Sequence, residues 1–270
     1  MASPWWILAL AVLGALAGGP QRAAVLRHSV GHDQPPRTHC PSCAAGLAVP
    51  PPTGRCPSCA AALGPPPFST ELISVLLLAA LAVQAVSAGA AGGLGEGGGL
   101  GEGGGAAAPA GAPGGSLGEL AAFSWLAVLA VPLAFVDLAV HRLPDRLTLP
   151  AWAGTLALLA VTAAVLHRPD DLLRAMLGGC AMAAFYLVLF LVHPAGIGLG
   201  DAKLGLSLGS ALGWLGWGQV AAGLLLTHLL AGLYAAALIA SRRARRDSEI
   251  PFGPFMIIAT FAVLLTGLGG

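Results

Sequence analysis

The chain has 270 residues, of which 56% are hydrophobic and only 9% are charged. Soluble domains carry about 25% charged residues, and one soluble core of this size could not hide so much apolar surface. These proportions argue against a soluble enzyme, a nucleic-acid-binding protein and a secreted disulfide-rich module. They indicate a membrane protein, whereas the net charge of +1 says little about partners.

Long apolar stretches alternate with short charged patches, which is the hydropathy pattern of a polytopic helical membrane protein. About 20 apolar residues cross a bilayer, and helices pair every backbone N–H and C=O within the segment. The sequence therefore predicts an all-α polytopic membrane protein with about eight transmembrane helices. The predicted spans are residues 4–19, 69–88, 119–138, 148–166, 173–192, 203–216, 219–240 and 253–268.

The basic residues predict the orientation. With the N-terminus outside, 11 of the 13 Lys and Arg residues fall in inner loops, and only Arg168 and Arg174 lie on the outer side. Inner loops of membrane proteins are enriched in Lys and Arg, so we predict an outside N-terminus. A cleavable signal peptide is the alternative for the first segment, because residues 15–17 resemble a cleavage site. No basic residue precedes Gln21, which favours a signal-anchor helix.

A stretch rich in glycine and alanine interrupts the spans over residues 87–118. Such a composition cannot bury enough apolar surface to order itself, so it is predicted to be a flexible spacer without a function. The predicted organisation is a first transmembrane helix at 1–19, a cytoplasmic cysteine-bearing loop at 20–68, a second transmembrane helix at 69–88, a Gly/Ala-rich outer loop at 89–118 and a six-helix membrane domain at 119–270.

Two near-identical Cys-Pro-Ser-Cys knuckles follow the first span, separated by twelve residues. Four thiolates at this spacing can converge on one zinc ion. The segment has few apolar residues, so a metal would supply most of its folding energy. Two disulfides are the alternative, but the predicted topology places the loop in the reducing cytoplasm, where disulfides rarely persist. We therefore predict a structural zinc site formed by Cys40, Cys43, Cys56 and Cys59.

Two aspartates lie at the inner membrane boundary. Asp137 ends the third span, and Asp201 follows Gly198 and Gly200 between the fifth and sixth spans. A carboxylate at such a depth is costly and marks a functional site. Two facing carboxylates share a proton, so they can hold a water between a general base and a general acid. The glycines would admit an extended peptide beside Asp201.

Structural roles are the alternatives for these residues. Asp137 could cap a helix or pair with Arg142, and Asp201 could pair with Lys203. Asp145 is a rival for the first acid, but its place in a polar loop suits the N-cap of the fourth span. The spacing alone leaves these alternatives open.

Taken together, the motifs resemble the type IV prepilin leader peptidases, which are membrane aspartic proteases of the GxGD kind. The similar elements are the cysteine loop after the first span, the Asp-x5-Leu-Pro-Asp stretch at 137–145, the motif Gly198-Leu-Gly-Asp-Ala-Lys203 and the segment 250–255 before the last span. The resemblance implies that Asp137 and Asp201 are the catalytic pair, and that Gly198, Gly200 and Lys203 support the second aspartate.

The resemblance also implies a function. The chain would cut prepilins or pseudopilins after the Gly that ends their basic leader, at the cytoplasmic face of the inner membrane, in contact with lipid and with pilus or secretion machinery. Members with this cysteine loop often also methylate the new N-terminus with S-adenosylmethionine, although residues 18–36 depart from the usual segment. The alternatives are a transporter or channel, and a non-catalytic scaffold of a pilus or secretion machine.

Overall fold

The computed structural model describes residues 5–31, 34–47, 51–94, 116–192, 198–242 and 251–269. Regular structure in these ranges is α-helical, apart from two isolated β-bridges in the cysteine loop. The helices are α1 (Trp5–His28), α2 (Ser69–Leu94), α3 (Leu117–Val140), α4 (Asp145–Leu166), α5 (Pro169–Val192), α6 (Leu199–Leu215), α7 (Trp217–Ala240) and α8 (Gly253–Thr266). The prediction of an all-α protein is confirmed. Most of the predicted outer loop lies outside the described residues.

Six of the described helices are long and apolar enough to cross a membrane, namely α1, α2, α3, α4, α5 and α7. Helix α8 is a shorter apolar helix. Leucines on the outward faces are largely uncovered: Leu16 is 70% exposed, and Leu225 is 73% exposed. Apolar surface of this extent is unfavourable in water and suits contact with lipid. The chain is therefore a multi-pass membrane protein, while eight spans and an outside N-terminus stay predictions.

Helix α3 lies at the centre of the bundle, in contact with α1, α2, α4 and α8. Its buried residues include Leu126, Ala130, Leu133 and Asp137. Their spacing of three and four residues places them on one helix face. Asp137 is thus the last member of an apolar stripe that faces the core, which explains why its carboxylate is buried.

Helices α5 and α6 pack unusually closely through small residues. On α6, Gly205, Gly209 and Gly213 recur every four residues and lie against Gly178 and Ala183 of α5. A Cβ atom on Gly209 would lie only 2.5 Å from the carbonyl oxygen of Gly178. Small residues at this spacing let helix backbones approach in membranes, so this contact fixes α6 and the aspartate at its start.

Replacement of Gly209 by Ala should destabilise the protein. The added methyl would meet backbone rather than a movable side chain, so α5 and α6 must separate, at a cost of about 1–3 kcal/mol. Each kcal/mol lowers Tm by about 2–4 °C in a chain of this size. The control is Gly232→Ala on α7, where a Cβ meets nothing within 4 Å and Tm should hold or rise. Equal Tm values for the two variants would contradict the packing.

A charged network ties the end of the bundle that lies farthest from Asp137. The buried carboxylate of Glu119 accepts hydrogen bonds from the Arg168 guanidinium and the Trp214 indole, each at 3.0 Å. Arg174 donates to the carbonyl of Trp214 at 2.7 Å. Glu119 lies 18 residues before Asp137 on α3, or about 27 Å along the helix. The network therefore holds α3, α5 and α6 together far from the aspartates.

Helix α1 continues beyond the predicted end of the first span at residue 19 and reaches His28. In this extension the buried guanidinium of Arg22 donates to the carboxylate of Glu71 through Nε at 2.9 Å and Nη2 at 2.7 Å. It also donates to the carbonyls of Pro65 and Pro66. A buried charge requires such partners, and these bonds anchor the cysteine loop on α1 and α2.

Candidate functional site

The four-cysteine loop (residues 29–68) contains two copies of one turn, sixteen residues apart. In each copy the carbonyl of the first cysteine accepts an N–H from the residue four positions later, from Ala44 to Cys40 at 3.0 Å and from Ala60 to Cys56 at 2.9 Å. Both alanines adopt left-handed backbone angles, with φ values of 55° and 58°. The repeated Cys-Pro-Ser-Cys sequence thus folds into two matching knuckles.

The knuckles bring four sulfur atoms together. The Sγ atoms of Cys40 and Cys59 are 3.7 Å apart, and those of Cys43 and Cys56 are 3.6 Å apart. All four lie within 4.8 Å of one another, and the cysteines are free thiols. A tetrahedral site with Zn–S bonds of 2.3 Å would space its sulfurs by about 3.8 Å. The cluster could therefore hold one metal ion, and it leaves no open position for water.

Backbone N–H groups inside the knuckles favour the thiolate form. The N–H of Ser42 lowers the pKa of Cys40, and the N–H of Ser58 lowers the pKa of Cys56 to about 6. The neighbouring thiols outweigh the N–H of Ala45 and raise the pKa of Cys43 to about 12. Metals bind the deprotonated thiol, so the N–H groups favour coordination by Cys40 and Cys56.

Asp137 and Asp201 lie at the same end of the bundle and are buried, with 4% and 6% exposure. Asp137 is in the last turn of α3, and its Oδ2 accepts the N–H of Gly253, the first residue of α8, at 3.0 Å. Asp201 is in the first turn of α6, and its Oδ2 accepts the N–H of Gly198 at 3.0 Å. One oxygen of each carboxylate is thus fixed by a backbone N–H at the start of a helix.

Close contacts join the two aspartate segments. A Cβ on Gly200 would lie 2.9 Å from the Cβ of Leu143, which follows α3. A Cβ on Gly253 would lie 2.7 Å from Oδ2 of Asp137. The two carboxylates are near enough to interact electrostatically. The structure therefore brings together the end of α3, the start of α6 and the start of α8.

Other side chains named from the sequence lie at the edge of this site. Lys203 forms an ion pair with Asp145, and the two side chains are 43% and 55% exposed. Arg142 donates to the carbonyl of Gly31 at 2.9 Å. Lys203 and Arg142 thus bond to groups other than the buried aspartates. Asp145 is therefore exposed to solvent, whereas Asp137 and Asp201 are buried. An exposed ion pair of this kind contributes little stability.

Sequence reasoning missed the part played by Gly253. The resemblance drew attention to the segment 250–255, of which Ile250 lies outside the described residues. No local pattern shows that the N–H of Gly253 binds a carboxylate 116 residues away. Only the tertiary packing of α8 against α3 reveals it.

A groove of about 480 Å³ lies between α1, the four-cysteine loop and α3. Its size suits a small ligand, and Val25, Ser29, Arg37 and Phe135 are among its lining residues. S-adenosylmethionine carries a carboxylate, which Arg37 could pair with, and sulfonium and ammonium cations, for which the described lining residues offer no anionic partner. This groove therefore meets only part of the chemistry of that cofactor.

The fold and these sites define a multi-pass α-helical membrane protein with a four-cysteine cluster and two buried carboxylates at one end of the bundle. Residues 120–240, which include both aspartates, match the type IV leader peptidase family. The chain is similar to that family over these residues, and the resemblance predicted from the motifs is confirmed.

Curated relatives share this similarity. The chain is 37% identical over 152 residues to the prepilin leader peptidase/N-methyltransferase of Aeromonas salmonicida (strain A449), which covers 56% of this chain and 50% of the relative. It is 31% identical over 154 residues to the protein of the same name from Dichelobacter nodosus, with 56% and 50% covered. The chain thus spans about half the length of the curated relatives it matches. No solved structure matches it.

Proposed function

We propose that this chain is a membrane aspartic endopeptidase that removes the basic leader of prepilins or pseudopilins after its terminal Gly. The observation that supports this most directly is the buried pair Asp137 and Asp201, each with one oxygen bound by a backbone N–H. Both residues lie within the region that matches the leader peptidase family. The relatives' shared name includes leader peptidase activity.

The paired carboxylates would hydrolyse the peptide by acid–base chemistry. Two facing carboxylates do not both ionise readily, so one is the base that takes a proton from a bound water. The other donates its proton to the carbonyl oxygen as the water adds to the carbonyl carbon. The C–N bond then breaks as the amine takes up a proton. The N–H groups of Gly198 and Gly253 keep the carboxylates oriented throughout.

The site would lie at the cytoplasmic face of the inner membrane. Orientation by the basic residues places the ends of α3 and α5 inside, where a positively charged leader remains before cleavage. Pilus or secretion machinery would receive the processed product.

A structural zinc ion would be held by Cys40, Cys43, Cys56 and Cys59. Four protein thiolates leave no coordination position for a reacting water, so the ion would stabilise the loop rather than take part in cleavage. The spacing of the sulfurs supports this assignment.

Mass spectrometry tests the proposed activity. The protein is reconstituted in lipid vesicles and incubated with a purified prepilin, with and without S-adenosylmethionine. We expect two products whose masses correspond to cleavage after the Gly of the leader. An added methyl group on the mature product, only with S-adenosylmethionine present, would show N-methylation as a second activity. An intact prepilin after prolonged incubation would contradict the proposed peptidase.

Replacement of Gly253 by Ala should slow cleavage without unfolding the protein. The new Cβ would lie 2.7 Å from Oδ2 and 3.1 Å from Cγ of Asp137, so the carboxylate must turn away from the N–H that holds it. A displacement of about 1 Å in a catalytic group can cost about a hundredfold in rate. Initial rates are compared with those of Gly232→Ala, the open position on α7. Equal rates for the two variants would show that this bond is dispensable.

A further inference from the structure

Two polar atoms close to the aspartates lack a hydrogen-bond partner among the described residues, although both are buried. They are the hydroxyl of Tyr186 on α5 and Nε2 of His228 on α7. Tyr186 has no exposed surface. The Thr227 hydroxyl lies near it, but it donates to the carbonyl of Gly223 at 2.7 Å, and the two hydroxyls do not meet hydrogen-bond geometry. Serine and threonine hydroxyls in a helix can bond to the preceding turn, but a tyrosine hydroxyl cannot reach it.

The register of α5 and α6 places Tyr186 beside Asp201. The two helices are antiparallel, and Gly205 of α6 packs against Ala183 of α5. One turn further along α5 comes Tyr186, and one turn back along α6 comes Asp201. The tyrosine and the carboxylate interact electrostatically, in agreement with this register.

His228 packs both on Tyr186 and near the residue that precedes Gly253. The imidazole stacks on the Tyr186 ring, with centroids 5.9 Å apart and an angle of 10° between the planes. Its centroid also lies 6.0 Å from that of Phe252. Phe252 directly precedes Gly253, whose N–H binds Asp137. The two rings that carry the unpartnered atoms therefore pack next to the segments that hold the two acids.

The hydrogen-bonding roles of these atoms are complementary. Nδ1 of His228 lies 2.8 Å from the carbonyl oxygen of Leu224. A carbonyl oxygen only accepts, so Nδ1 carries the hydrogen, and Nε2 of the neutral ring is an acceptor. The Tyr186 hydroxyl makes no hydrogen bond of its own among the described residues and can donate. Together the two side chains offer one donor and one acceptor, which match the C=O and N–H of an extended peptide that need partners in a dry site.

We propose that Tyr186 and His228 bind a backbone peptide group of the substrate next to the bond that is cut. The Tyr186 hydroxyl donates to a substrate carbonyl, and Nε2 of His228 accepts a substrate N–H. This inference rests on the proposed peptidase function and adds a binding subsite to it. Because the contacts reach only the backbone, the subsite fixes an extended conformation for substrates with different side chains.

The test compares Tyr186→Phe with a matched control at the other tyrosine of the chain, Tyr234→Phe. Tyr234 is 46% exposed and packs on Phe255. Tyr186→Phe removes one oxygen and keeps the stacked ring, so we expect KM for prepilin to rise about tenfold with a smaller change in kcat. His228→Phe should change KM in the same direction. Tyr234→Phe should keep wild-type values.

The Tm of Tyr186→Phe shows whether a change in KM comes from weaker substrate binding or from a less stable fold. Loss of a buried hydroxyl that has no partner should leave Tm unchanged or raise it, so a higher KM at unchanged Tm is a binding effect. A KM equal to that of Tyr234→Phe, or a fall in kcat alone, would overturn the inference.

Direct binding distinguishes this inference from the proposed function. A fluorescent prepilin is titrated into vesicles that carry the Asp137→Asn protein, with and without the added Tyr186→Phe change. We expect about tenfold weaker binding with Tyr186→Phe and no change with Tyr234→Phe. If Tyr186→Phe alone weakens prepilin binding but the wild-type protein does not cleave prepilin, the result would support the subsite and contradict the peptidase function. Cleavage by the wild type with equal binding by all variants would support the peptidase and overturn the subsite.

Discussion

Asp137→Asn and Asp201→Asn should each abolish leader cleavage, while the protein still inserts and accumulates in the membrane. Asparagine has the shape of aspartate and keeps a carbonyl oxygen that can accept the N–H of Gly253 or Gly198. It can neither take up nor release a proton at neutral pH. A general acid or base contributes about 10²–10⁴-fold to a rate, and both groups are needed in one turnover. Each single variant should therefore lose at least that factor in initial rate.

Two further substitutions sharpen this measurement. Asp170→Asn removes an exposed carboxylate in the first turn of α5, at the opposite end of the bundle, and should cleave like the wild type. Asp145→Asn removes the rival acid and its exposed ion pair with Lys203, and should lose less than about tenfold. Near wild-type cleavage by Asp137→Asn or Asp201→Asn, at equal protein levels, would remove that residue from the proposed dyad.

The helices could be predicted because apolar stretches of membrane length are visible in a single chain. The residue at which α1 ends could not be predicted in this way. Hydropathy falls at Arg22, which a local window interprets as the start of a loop. In the folded chain Arg22 is buried and paired with Glu71, 49 residues away. Burial of a charge depends on its partner, and no local window contains both residues.

The two aspartates could be selected because acids are scarce, with only 12 in the chain. The groups that surround them could not be selected. Gly253 is one of 39 glycines, and its contact with Asp137 exists only because α8 packs against α3. Tyr186 and His228 meet across α5 and α7. Sequence spacing predicts which residues are chemically unusual, whereas tertiary packing decides which groups orient them.

The cysteines are an intermediate case. Each knuckle is local, so the Cys-Pro-Ser-Cys spacing predicts its turn, and the convergence of both pairs follows from four-ligand chemistry. The contacts that hold the loop against the helix bundle cannot be predicted from the cysteine spacing. Leu47 and Leu63, one from each knuckle copy, pack with the cysteines against Leu26. That leucine belongs to the part of α1 that lies beyond the predicted span.

Cys40→Ser combined with Cys56→Ser should remove the bound metal and lower the amount of protein in the membrane. These are the two buried cysteines of the cluster, at 3% exposure each. A serine hydroxyl is a poor zinc ligand at neutral pH, and two remaining thiolates cannot complete a tetrahedral site. Elemental analysis of the purified protein should find about one zinc per wild-type chain and close to none in the variant.

Cys180→Ser is the matched control, because Cys180 lies on α5 outside the cluster. It should keep full metal content and a normal protein level. Full metal content in the double variant would contradict a four-thiolate site. If metal is lost but the protein level holds, the bonds of Arg22 to Pro65, Pro66 and Glu71 would be sufficient to keep the loop in place. Adding Arg22→Met to the double variant should then lower the protein level, since it leaves the loop with neither anchor.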